Sequence, residues 1–159
     1  MEYTTPLIQT KLHRPIIPVD LVPRPQLTTW IDERRNMPIT LVSAPAGYGK
    51  STLISSWLDA CNYPNTWLTL DADDNDLIGF LTYFLAAIRV IFPEAAKNSQ
   101  ALLAAGSQAP IKELAISLVN DINQLDEFFI LVLDDFEVIH ERLVHDFLNE
   151  FLLQPPRGF

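Results

Sequence analysis

The sequence is short of cysteine, of glycine and of positive charge, with one Cys, five Gly and eleven Lys/Arg against twenty Asp/Glu. Each shortage excludes something. Cys61 alone cannot close an internal disulfide, which fits a reducing compartment. The formal net charge is −9, and it is unevenly spread. Residues 1–50 carry six basic and four acidic groups, whereas residues 51–159 carry five and sixteen. Affinity for nucleic acid rests on neutralising phosphates, so an acidic body of this kind argues against the chain gripping DNA or RNA by itself. It reads instead as a solvated acidic surface. Long hydrophobic runs are also missing. The longest, Leu77 to Phe92, contains Arg89 and is too short to span a bilayer. The start Met1-Glu2-Tyr3-Thr4-Thr5-Pro6 lacks the basic and apolar regions of a signal peptide. The expectation is a soluble, cytoplasmic protein that does not engage membranes. His13, His140 and His145 have no metal-ligand spacing, no Gly-x-Ser-x-Gly elbow is present, and Cys61 has no obvious histidine partner.

What is present is an ordinary globular composition, 48% apolar and 19% charged over 159 residues, enough for about one domain with a buried core. Seven of the twelve prolines fall within residues 1–45, which predicts an extended, Pro-punctuated arm over residues 1–25. The rest, 26–159, alternates helix and strand patterns. Helices are expected over 26–36, 50–61, 76–92, 94–105, 110–125 and 140–153, and strands over 39–43, 66–70 and 128–133. Phe128 to Leu133 is an unbroken apolar run, as in a parallel strand buried on both faces. The alternation implies α/β class: a three-layer sandwich on a mainly parallel sheet. Three strands are few for such a sheet, so the sequence reads as a domain truncated after its third strand and the following helix.

The chemistry is carried by Ser43-Ala44-Pro45-Ala46-Gly47-Tyr48-Gly49-Lys50-Ser51-Thr52. An apolar strand pattern precedes it and an amphipathic helix pattern follows. The phosphate-loop pattern is G-x-x-x-x-G-K-[ST]; Ala44 occupies the first Gly position, and Gly49, Lys50 and Ser51 match. Backbone N–H groups of such a turn converge on one anion, aided by the helix dipole. Residues 44–52 are therefore the candidate nucleotide-binding segment. Lys50 would reach the β- and γ-phosphates, and Ser51 would offer its hydroxyl to Mg²⁺. The bland alternative is a Gly-rich turn with no ligand. A second motif, Phe128 to Asp135, places Asp134 at the carboxyl end of an apolar strand, the edge the phosphate loop shares. Asp134 is the candidate Mg²⁺ ligand beside Ser51, and Asp135 the candidate to polarise an attacking water. No arginine finger can be named. Asp71 to Asp76 resembles the start of a calcium loop, but Asp76 stands where that loop needs Gly and Thr82 where it needs Glu. A helix N-cap at Asp74 or Asn75 is the preferred reading there.

Together with Thr10-Lys11-Leu12-His13-Arg14-Pro15, Val22-Pro23-Arg24, Thr66 to Asp71, and Leu131-Val132-Leu133-Asp134-Asp135-Phe136, these motifs resemble the N-terminal nucleotide-binding region of MalT-type large LuxR-family transcriptional regulators. Those are signal-transduction ATPases of the STAND class, and the resemblance runs over nearly the whole chain. It implies ATP or ADP with Mg²⁺, a switch that is closed with ADP and self-associating with ATP, and slow hydrolysis at most. It places Arg24 and Val22 near the adenine and ribose. It also implies that the family's sensor-arginine strand and its DNA-binding parts would follow residue 159. That missing strand would lie between the phosphate-loop strand and the acidic strand, leaving a gap. Phe136 and Glu137 depart from the family's Tyr-His. Two other readings stay open: a P-loop kinase or other phosphotransferase, and a non-catalytic interaction module.

Overall fold

The computed structural model describes residues 6–105 and 109–157. Among them are six α-helices: α1 (Pro25–Asp32), α2 (Lys50–Ala60), α3 (Leu77–Ile91), α4 (Lys97–Ala104), α5 (Ile111–Ile122) and α6 (Arg142–Leu153). Two strands, β1 (Asn65–Thr69) and β2 (Ile130–Asp134), pair in parallel, with Trp67 opposite Val132 and Thr69 opposite Asp134. The parallel pairing follows from the long helical crossover between them, which a hairpin could not supply.

Period-2 alternation along β1 sends side chains to opposite faces. Leu68 and Leu70 enter a large core with Phe80, Phe84 and Ile88 of α3, Leu118 of α5, and Phe147 and Phe151 of α6. Trp67 enters a smaller core with Ile31 of α1 and Trp57 and Leu58 of α2, which Ile130 and Val132 join from β2. Helices thus cover both faces of the small sheet, and the chain is of α/β type. The Phe84 ring meets Phe147 and Phe151 edge-on at 6.4 and 6.1 Å, contacts that add about 0.5–1.5 kcal/mol each to simple burial.

Three sequence expectations are corrected. Residues 39–43 form no strand, and Leu41 is 82% exposed. A strand exists only where a neighbour completes its ladder, and no described residue pairs with this segment. For the same reason β2 is half-buried throughout rather than doubly buried; only β1 lines its described edge. Residues 1–25 are not uniformly extended either. A 3₁₀ turn at Gln9–Leu12 lies against β1, with Lys11 and Leu12 buried.

Helix ends follow local chemistry. Pro25 opens α1 at a position that loses no hydrogen bond, although the helix stops at Asp32, short of the expected residue 36. The cap of α3 is Asp76, not Asp74 or Asn75; its carboxylate accepts from the Gly79 N–H at 2.7 Å. Asp76→Ala is expected to cost about 1 kcal/mol, the usual worth of an N-cap, measured by urea unfolding. Asp121, buried in α5, holds the Ser99 N–H at 2.8 Å, its hydroxyl at 2.7 Å and the Asn98 amide at 2.7 Å, joining α4 to α5.

Candidate functional site

The turn before α2 is made by two glycines in the left-handed region, Gly47 (φ 83°) and Gly49 (φ 77°). A β-carbon at Gly47 would meet nothing within 4 Å, so its need for glycine is conformational: L-residues with side chains rarely hold this φ. Gly49 is the N-cap of α2 and supplies no side-chain acceptor, so no side chain caps the helix. The first-turn amides and the helix dipole are then available to an anion.

Lys50 and Ser51 begin α2. The Lys50 ammonium donates to the Ala44 carbonyl at 2.8 Å and stands 3.6 Å from the Glu137 carboxylate. The Ser51 hydroxyl donates to Asp134 Oδ1 at 2.8 Å, joining residues 83 positions apart. The same sheet edge is drawn together by the Leu70 N–H, which donates to the Asp134 carbonyl at 3.0 Å. Arg24 donates to the Tyr48 carbonyl at 3.0 Å and lies beside Gly49, so it is against the loop; Val22 is exposed. Ala44, Pro45 and Ala46 form the approach to the turn, Tyr48 is largely exposed, and Thr52 sits in the first turn of α2.

Asp135 adopts φ 56°, reversing the chain straight after β2 into a 3₁₀ turn, Phe136–Val138. Burial pushes its carboxyl above the ordinary range, and the neighbouring Asp134 and Glu137 carboxylates push it further, with Lys50 opposing. No cluster of three or more His, Cys, Asp or Glu with metal-holding geometry occurs among the described residues.

Two parts of this edge carried no sequence signal of their role. Asn75 accepts from the His140 and Glu141 N–H groups and donates to the Val138 carbonyl at 2.7 Å, tying the loop after β1 to the turn after β2. Lys11, on the arm, is bound by Asp74 and Asp71 at 2.9 and 2.8 Å and lies over the Tyr83 ring at 4.6 Å. The acidic run that looks like half a calcium loop is therefore the socket for a lysine.

The fold and site define an α/β chain in which a glycine turn carrying Lys-Ser meets an acidic strand end. No family model matches it. The chain is 34% identical over 153 residues to the HTH-type transcriptional regulator MalT of Yersinia pestis, and equally to MalT of Yersinia pseudotuberculosis serotype O:3. The match takes in 96% of this chain and 17% of those relatives, whose N-terminal region it resembles. No helix among the described residues is long and apolar enough to cross a membrane.

Proposed function

We propose that this chain is the ATP-binding switch module of a MalT-like transcription regulator, with ATP or ADP and Mg²⁺ as ligands and hydrolysis slow at most. The observation that carries the reading is the 2.8 Å bond from Ser51 to Asp134, because it brings two sequence-remote motifs into one site. The donor set suits the group. An uncapped helix N-terminus and a lysine favour phosphate, and a hydroxyl beside a carboxylate favours a hard cation. Lys50 would hold the β- and γ-phosphates, Ser51 and Asp134 would hold Mg²⁺, and Arg24 would brace the loop through the Tyr48 carbonyl. Bound Mg²⁺ supplies charge neutralisation at the phosphates. Asp135, with its raised carboxyl, is the group to take a proton from water. It is one methylene shorter than the glutamate that many P-loop ATPases use there. DNA binding, in this reading, belongs to other parts of such a regulator.

Calorimetric titration with ATP and ADP, with and without Mg²⁺, tests the proposal. Binding strengthened by Mg²⁺ is expected, with that strengthening lost in Asp134→Asn. Absence of binding by the intact chain in all four titrations would overturn it.

A further inference from the structure

The two groups of the loop that should face a nucleotide are already engaged from within the chain. Ser51 is bonded to Asp134, and Lys50 is paired with Glu137. The second contact is the informative one, because nothing about phosphate binding requires a carboxylate there. Lys50 is also held by the Ala44 carbonyl, so Glu137 is the anionic partner of the ammonium that an incoming phosphate would have to replace. Its own carboxylate is 63% exposed, free to leave when a stronger anion arrives.

Glu137 reaches this place through the chain reversal at Asp135, whose φ of 56° starts the Phe136–Val138 turn. The turn is fixed independently of Lys50. Asn75 bonds the Val138 carbonyl and the His140 N–H, and the Phe136 ring packs edge-on against His145 at 5.5 Å. A carboxylate on a pinned turn facing a lysine at a helix N-terminus has the charge and the placement of a phosphate oxygen.

We propose that Glu137 is a built-in competitor for phosphate: it occupies Lys50 in the ligand-free chain and must be displaced for a nucleotide to bind. The inference rests on the nucleotide-binding reading above and adds a regulatory element to that site. Displacement costs the ion pair, and the released carboxylate then stands near the incoming phosphates as a like charge. Losing an exposed ion pair costs up to about fivefold in affinity, and the repulsion adds to it. Removing the charge should therefore tighten nucleotide binding about three- to tenfold.

The test uses the 159-residue chain, its Glu137→Gln variant, and Glu127→Gln as a charge-matched control, since Glu127 is an exposed acid remote in sequence from the loop. Two quantities are measured: Mg²⁺–ATP affinity by calorimetry, and the acylation rate of Lys50 by an amine-reactive ester without nucleotide, followed by peptide mass spectrometry. Glu137→Gln should bind about three- to tenfold more tightly and acylate faster at Lys50, with the control at wild-type values in both. Wild-type binding with no gain in Glu137→Gln, or an equal gain in the control, overturns the proposal alone. An unchanged Lys50 acylation rate overturns it as well, because the contact is then not made. No nucleotide binding by any of the three proteins overturns the nucleotide reading and the competition together, while a faster acylation in Glu137→Gln would still show the ion pair.

Discussion

Lys50→Ala should lower the affinity of this chain for Mg²⁺–ATP by about two orders of magnitude. Charge-assisted hydrogen bonds are worth ~1.5–3 kcal/mol each, and every 1.4 kcal/mol is about tenfold in affinity. In the proposed site, losing the ammonium would remove at least one such bond to the phosphates. It also frees the Ala44 carbonyl, which Lys50 now holds at 2.8 Å, so the loop loses an internal brace as well as its charge. Folding should be much less affected. The lysine belongs to no hydrophobic cluster, and its ion pair with Glu137 is long and partly exposed. Calorimetry alongside a thermal melt separates the two effects. Undiminished ATP binding by a normally folded Lys50→Ala protein would falsify the role given to this residue.

Lys11→Met should have the largest effect on stability, a loss of about 3–5 kcal/mol in urea unfolding, because removing one partner strands a buried charge. Asp74 is only 1% exposed. Without the ammonium its carboxylate keeps the Asp71 N–H at 2.9 Å but has no counter-charge. Against a typical total of ~5–15 kcal/mol, that loss would leave a marginal fold. Asp71→Asn is the informative contrast. Its side chain is 50% exposed, and exposed pairs contribute only ~0–1 kcal/mol. Equal losses in the two variants would rule out burial as the source of the effect.

The same cluster sets a pH window. Burial pulls the Lys11 pKa down, but the hydrogen bonds and charges of Asp71 and Asp74 outweigh it, and the net shift is upward. That contribution is complete below the ordinary lysine range and is lost as pH rises through the raised value. The bond from Lys11 holds Asp71 below the ordinary carboxylate range. Its contribution is complete above that range and is lost as pH falls through the lowered value. Stability from this ion cluster should therefore be flat across neutral pH and fall away at both extremes.

Helix-forming segments were legible because their cause is local. Apolar residues at helical spacing produced α3 and α5 within one to three residues of their expected ends. The segment at 39–43 was misread because its apolar pattern is real but a strand is not a local property. Ile39 and Leu41 have the right side chains, and no strand among the described residues pairs with them. Asp71 to Asp74 was misjudged for a related reason. Its partner is sixty or more positions away on an arm whose prolines suggested no packing. At the site, the motif residues were identifiable one by one, but the sequence carried no sign of what Glu137 touches.

The sequence by itself determined the approximate spans of the helices, the strand segments that became β1 and β2, and the glycine-containing turn ending in Lys50-Ser51. These follow from composition and spacing over a few residues at a time. The motifs led to the expectation that Asp134 lies by Ser51, and the folded chain makes that contact; only the tertiary structure decided that Lys11 fills the acidic socket and that Glu137 reaches Lys50. Each of those depends on side chains brought together across long stretches of chain. Charge has no periodicity that would show, in advance, which opposite charge it will find.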